Sequence, residues 1–382
     1  MINGENMAYP EIIKEFKELV EIPVFSKDER AIADVVTKKL KDLGFTVTED
    51  DTGKKIGGNA GNIVARLEGD PSVPWVLLSA HLDRVKNPGN IKVVIKEDED
   101  KITSDGTSIL AADCVAGICV VLDGMRRLLA ENAKHGGIEI AFSVCEEVGV
   151  TGARHFDYAG FKSKMSYVFD CSGKLGKIMI AAPTKCNIKI GVHGKNAHAG
   201  NEPEKGLNAI KVAGTAIARI RDGRLTPQTT SNFGVIHAGS TTNVVCDYVE
   251  ILAEGRSTND AELEAYLAEV RDVFTKTAEE FGTTVDIDMN TLYHTFTVPE
   301  DTPVVTLAKK AMENMEIKGF CVPGGGGMDG NHFNKNGIQA VGIAPGYAKN
   351  HTNNEELTIS EFVKCGELVT EIVKEIYASA KS

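Results

Sequence analysis

The sequence has 382 residues, 42% hydrophobic and 25% charged, with 54 acidic against 42 basic side chains and a formal charge of −12. That length exceeds what one hydrophobic core organises, so two domains are expected, and the composition excludes a disordered or fibrous chain. The acidic surplus argues against nucleic acid or an anionic membrane as a partner, since both require a basic face.

In Met1-Ile2-Asn3-Gly4-Glu5-Asn6 no basic stretch precedes an apolar run, so no secretory signal is expected. No segment approaches the ~20 apolar residues that cross a bilayer. The eight cysteines include no closely spaced zinc-finger pair and read as reduced thiols, so the expected compartment is the cytoplasm. Helical spacing of Ile12, Ile13, Phe16, Leu19 and Val20 predicts a helix over 10–20, and a second follows over 28–43, ended by Gly44. Strands are expected at 62–67, 75–80, 138–144 and 166–170, with a helix over 115–130. This alternation predicts an α/β fold with a mainly parallel sheet and helices on both faces.

The texture changes near Pro183. A strand at 186–192, a helix over 206–221, strands at 232–236 and 248–253 and a helix over 260–281 predict a small α+β sandwich with one open sheet face. After Thr297 the α/β texture returns, with a helix over 303–314 and a strand at 339–343. The expected organisation is an α/β domain of residues 1–183 and 293–382, interrupted by a smaller domain at 184–292.

The strand at 75–80 runs into His81-Leu82-Asp83. Ligands bind at the C-terminal ends of strands in open parallel sheets. A His there, with an Asp two residues on, fits a metal ligand and a carboxylate that fixes its tautomer. A histidine satisfied by a nearby carbonyl is the plainer alternative. The arrangement repeats: Asp113 opens a helix, one strand ends in Cys145-Glu146-Glu147, and another ends in Asp170. A lone carboxylate is more often a helix cap or a solvated charge. Several at one sheet edge repel unless cations neutralise them, and imidazole with carboxylate suits zinc. Adjacent Glu146 and Glu147 divide naturally into a ligand and a proton carrier, the alternative being two solvated charges. Cys114, Cys145 and Cys171 adjoin these positions as alternative thiolate ligands, although Cys145 should point away if Glu146 faces the site.

His81-Leu82-Asp83, Asp113, Glu146-Glu147, Asp170 and a late His351 resemble, in order and rough spacing, the co-catalytic dizinc exopeptidase family. Cys145-Glu146-Glu147-Val148-Gly149, Met328-Asp329-Gly330-Asn331 and Lys349-Asn350-His351-Thr352 resemble its peptidase T-like members, and the likeness covers essentially the whole chain. The resemblance implies two Zn2+ ions, replaceable by Co2+ or Mn2+, bridged by Asp113. His81 and Asp170 would complete one ion, and Glu147 and His351 the other. Asp83 would orient His81, and Glu146 would act as general base on a zinc-bridging water and then as acid. The Asp113–Cys114 peptide bond would be cis. In the smaller domain, His198 resembles the lid histidine that stabilises the oxyanion, in its own or the partner subunit's site. Asn243 and Arg256 resemble positions that hold the substrate carboxylate. A guanidinium suits that role because it binds carboxylate bidentately; a surface salt bridge is the alternative for Arg256.

The implied function is a zinc-dependent exopeptidase cutting short peptides, a tripeptide-type aminopeptidase, working as a homodimer through the inserted lid domain. The alternatives are an N-acyl amino acid deacylase with the same chemistry and a catalytically idle binding or regulatory relative. Two residues depart from the peptidase T-like pattern. Arg84 follows Asp83 where a smaller residue is common, and would alter charge preference if it faced the pocket. Met328 stands before Asp329 where Thr or Ser is common. The run Gly324-Gly325-Gly326-Gly327 is no P-loop, since Met328-Asp329 follows it, and is expected to approach the substrate closely or simply to turn. His193, His237, His294 and His332 read as structural.

Overall fold

The apolar runs of the first half of the chain and the strand near residue 340 assemble into one sheet. The computed structural model describes residues 10–85 and 90–382; the Met1-to-Asn6 stretch read above lies outside the described residues. The described residues up to Ala182 together with Thr297–Ser382 form one compact unit, and Pro183–Phe296 form a second.

In the first unit the sheet strands are β1 (Thr46–Glu49), β2 (Ile63–Leu67), β3 (Val76–His81), β4 (Ile138–Ser143), β5 (Met165–Val168), β6 (Lys177–Ala182), β7 (Phe320–Pro323) and β8 (Gln339–Ile343). Their spatial order is β1-β2-β4-β3-β5-β8-β6, with β7 paired to β6. The central four, β4, β3, β5 and β8, run parallel, and β1 and β2 add an antiparallel edge. Every residue of β3 and β4 is buried, which requires cover on both faces and explains their mainly apolar character. Helices Ala112–Ala130 and Asp329–Lys335 both pack on β3. The first is itself covered by Glu11–Glu21 and Ile359–Lys381, whose apolar stripes meet at an edge-on Phe16–Phe362 contact.

A second, antiparallel sheet of this unit had no counterpart in the sequence reading. It runs Tyr347–Ala348, Glu356–Thr358, Lys101–Ser104, Val93–Lys96. Its strands are too short and too mixed for a clear period of two. They matter because they hold the loop 349–355 in place.

The second unit is a five-stranded antiparallel sheet in the order Gly223–Arg224, Thr229–Ala238, Tyr248–Ser257, Thr184–His193, Val285–Tyr293. Helices Ala209–Arg219 and Asp260–Glu280 bury one face of it around Ile190, Val192, Val212, Ile251, Val270 and Phe274. Asn259 caps the longer helix by accepting N–H bonds from Ala261 and Glu262. The last strand extends the expected strand–helix–strand–strand–helix order. Its alternation of Val285, Ile287 and Met289 with Asp286, Asp288 and Asn290 is the period-two signal of a one-sided strand.

Close packing behind β3 generates a first prediction. A Cβ on Gly117 would lie 2.1 Å from the Phe169 carbonyl oxygen and 2.7 Å from the Cys114 sulfur. Gly117→Ala should therefore destabilise the protein by about 1–3 kcal/mol, read as a lower denaturant midpoint at unchanged slope.

Candidate metal centre

Parallel register brings the chemistry together. His81, the last residue of β3, lies level with Ser143, the last of β4, and Ser79 lies level with Val168, the last of β5. Glu146, Glu147 and Asp170 follow those ends within a few residues, so they open onto the same sheet edge as His81. Asp113 arrives from the first turn of helix Ala112–Ala130, where it and Cys114 depart from helical dihedrals and the bond between them is cis. His351 arrives from the loop held by the side sheet.

The donor atoms form two sets that share one carboxylate. His81 Nε2 lies 3.1 Å from Asp113 Oδ1 and 3.4 Å from Asp170 Oδ1. His351 Nε2 lies 3.3 Å from Asp113 Oδ2 and 3.0 Å from Glu147 Oε1. Ligands around a tetrahedral zinc at 2.0–2.1 Å stand about 3.3 Å apart. The residues present have the donor types and spacings that such an ion requires.

The supporting contacts are mostly backbone groups. His81 Nδ1 is 2.8 Å from the Asp83 main-chain carbonyl, which accepts its proton and leaves Nε2 as the ligand atom. The Asp83 carboxylate is farther from that ring, at 3.5 Å. It accepts instead from the N–H groups of Glu146 and Glu147, at 2.8 and 3.2 Å, and from the Ser26 hydroxyl at 2.6 Å. Asp83 thus ties the β3 end to the glutamate pair. Beside it, buried Glu29 accepts the Cys145 N–H at 3.1 Å, and Asn350 Nδ2 donates to Asp113 Oδ2 at 2.6 Å. Ala111, Cys145, Lys349 and His351 all have positive φ, so the non-glycine backbone departs from its preferred regions beside the ligands.

The electrostatics reflect crowded acids. Burial pushes the Glu146 carboxyl well above the ordinary range and Asp170 up to about 7. Burial acts the same way on Asp113, but hydrogen bonds from His351 and His81 overcome it and hold that carboxyl well below the usual range. Hydrogen bonds to Asp113 and Glu147 raise His351 to about 10. The acids draw positive charge from whatever stands nearest, the behaviour expected of a cation site.

His81, Cys114 and Asp170 also converge. However, the Cys114 thiol donates to the Phe169 carbonyl at 3.2 Å, and burial raises its pKa far from the thiolate form. Burial likewise pushes Cys145 up to about 12, and Cys171 lies buried beside Met179. Arg84 does not face a pocket. Its guanidinium is buried and donates to the carbonyls of Val20 at 2.7 Å, Leu19 at 3.4 Å and Ile22, closing the C-terminal end of helix Glu11–Glu21. Burial lowers its pKa only to about 10, so it stays a cation. Met328 is fully buried against Gly330 and Gly342 and belongs to core packing, whereas Gly324 is half-buried against Met179 and Gly325 is exposed.

In the second unit, the His198 and Asn243 segments pair through backbone bonds from Ala199 N–H to the Asn243 carbonyl and from Val245 N–H to the Ala197 carbonyl. His198 is exposed, and its Nδ1 accepts N–H bonds from Gly200 and Asn201 at 3.2 and 3.1 Å, which leaves the proton on Nε2. Arg256 lies apart on Tyr248–Ser257, and Glu254 occupies its fork at 2.7 and 3.3 Å. The roles of Ser26, Glu29, Asn350 and Glu355 were missed in the sequence, because contacts between residues far apart in the chain leave no spacing pattern.

A buried imidazole–carboxylate centre at the C-terminal edge of a parallel sheet is the site of a metal-dependent hydrolase. Residues 62–185 match the family model described as peptidase family M28, and residues 181–282 match the peptidase dimerisation domain. An uncharacterised protein of Bacillus subtilis, YqjE, is 37% identical over 364 residues, covering 95% of this chain and 98% of that one. The crystal structure of aminopeptidase PepT from Bacillus cereus has 39% identity and a TM-score of 0.87, over 96% and 98% of the two chains. A tripeptidase structure from Staphylococcus aureus has 33% identity and a TM-score of 0.91, over 97% and 98%. The chain belongs to the peptidase T-like branch of the co-catalytic metal-dependent exopeptidases, and it is a peptide hydrolase.

The position of Arg84 yields a prediction. Arg84→Met should lower stability by about 1–3 kcal/mol by leaving buried carbonyls unpaired, with no change in the enzyme's preference between acidic and basic peptides. A switched preference at unaltered stability would place Arg84 at the substrate instead.

Proposed function

We propose that this chain is a two-zinc aminopeptidase acting on tripeptide-class substrates in the cytoplasm. The observation that carries the reading is the shared carboxylate: Asp113 presents one oxygen to His81 and the other to His351, with donor separations of 3.0–3.4 Å throughout. His81, Asp113 and Asp170 would hold one ion, and Asp113, Glu147 and His351 the other. When bound, the ions supply Lewis-acid polarisation of the scissile carbonyl and make the attacking water more acidic.

Glu146 performs the proton work. Its carboxyl is buried, and burial strengthens it as a base relative to an ordinary glutamate. Asp83 holds its backbone N–H at 2.8 Å, which limits where the side chain can swing. It takes the water's proton and returns it to the departing amine. His198 is assigned as the oxyanion donor, a role that its Nε2 proton suits. Asn243 and Arg256 are assigned to the substrate carboxylate, with Arg256 leaving Glu254 for it.

The working form is proposed to be a homodimer through the inserted unit. Strand Thr229–Ala238 pairs on its outer side only at Thr230 and Ser231 among the described residues, and Val235, Ile236 and Ile210 are exposed. A second copy would cover that edge and those apolar groups.

Glu146→Gln should lower kcat by about 10²–10⁴-fold while metal content, measured by atomic absorption, stays unchanged. Exhaustive chelation should abolish hydrolysis, and zinc should restore it. On a tripeptide panel, cleavage should require a free N-terminus; preference for N-acylated amino acids would replace the aminopeptidase reading with the deacylase one.

A further inference from the structure

The bridging carboxylate is held in place by a second acid. Glu355 is 1% exposed, and its carboxylate faces the backbone of the Asp113 turn. Oε2 accepts from Leu110 N–H at 2.9 Å and Ala111 N–H at 2.8 Å, and Oε1 accepts from Asp113 N–H at 3.1 Å. Leu110, Ala111 and Ala112 are fully buried, and Ala111 has a φ of +60°. A turn of that shape cannot satisfy its own N–H groups, and burial denies them water. The two oxygens of one carboxylate meet three donors together.

Glu355 also belongs to the segment that supplies the second imidazole. Residues 349–355 join the paired strands Tyr347–Ala348 and Glu356–Thr358. From this one loop, His351 reaches Asp113 Oδ2 and Glu147, Asn350 donates to Asp113 Oδ2, and Glu355 grips the backbone on which Asp113 is mounted. The loop therefore holds Asp113 from both ends of the residue, by side chain and by main chain.

We propose that Glu355 is a positioning residue for metal loading: it fixes the Asp113 turn so that the two carboxylate oxygens face the two ions at once. The inference rests on the two-ion reading above. Glu355 makes no contact with a substrate in this assignment and acts only through Asp113. A glutamine at 355 keeps the size but replaces one acceptor oxygen with an NH2 group, which sets donor against donor at the turn. Supports of this kind are worth about 10–100-fold in metal affinity.

The test compares full-length wild type, Glu355→Gln and the neighbouring control Glu356→Gln, which alters partly buried pairs with Lys101 and Lys349 and none with the Asp113 turn. Each metal-free protein is titrated with Co2+, following the visible absorption bands and the stoichiometry. Wild type and Glu356→Gln should bind two ions with the same spectrum. Glu355→Gln should bind about 10–100-fold more weakly with shifted bands, while its far-ultraviolet circular dichroism stays that of wild type. If Glu355→Gln does not fold, Glu355→Asp, which keeps the charge but is one methylene shorter, should fold and show the same loss. Unchanged affinity and bands in a folded Glu355 variant, with only a lower melting temperature, would overturn the proposal. If wild type itself takes up one ion, the two-ion reading falls, and Glu355 is still judged on the affinity and spectrum of that ion.

Discussion

The molecule is organised around a concentration of negative charge that no apolar packing can neutralise. Asp83, Asp113, Glu146 and Asp329 are buried together at one sheet edge, with Glu147 and Asp170 beside them. At 4 Å, two like charges repel by about 4 kcal/mol even at an effective dielectric constant of 20. Three of these acids are matched to partners: two imidazoles for Asp113, backbone N–H groups for Asp83, and the Ser143 hydroxyl at 2.6 Å for Asp329. What those partners leave uncompensated is the attraction for metal ions.

The compensation divides by distance from the centre. Groups that touch the ligand atoms are side chains, whereas groups one step farther out bind main chain: Asp83 to Glu146 and Glu147, Glu29 to Cys145, Glu355 to the Asp113 turn. Anchoring the backbone suits loops that carry positive-φ residues, because each such residue gains from having its peptide groups fixed by an outside acceptor. The imidazole and carboxylate side chains are then aimed by their own main chain and remain available to a metal.

Much of this was legible in the sequence, and the exceptions share a cause. The strands ending near His81, Glu146 and Asp170 could be read because a buried parallel strand is mainly apolar and its C-terminal end gives way to charged or imidazole side chains. The family likeness was readable for the same reason, since those ends keep their order along the chain. Where Arg84 points was left open by the sequence because its partners, the carbonyls of Leu19, Val20 and Ile22, lie more than 60 residues away and belong to the backbone, which has no sequence signature. Glu355 escaped notice for that reason too, since its partners are the N–H groups of Leu110, Ala111 and Asp113. The strand Val285–Tyr293 was different: its alternation was present and was passed over. The side sheet carries strands of two to four residues, too short for any period to register.

The sheet order also constrains the timing of synthesis. β8, residues 339–343, lies between β5 and β6, which come from residues 165–182, so the centre of the sheet remains a gap until the last tenth or so of the chain has left the ribosome. His351 and Glu355 emerge later still. Asp113 and Glu147 must therefore wait for a C-terminal segment that closes the sheet and supplies an imidazole almost together. A chain cut short before residue 339 would carry His81, Asp113, Glu147 and Asp170 but neither His351 nor the Glu355 carboxylate that holds the Asp113 turn.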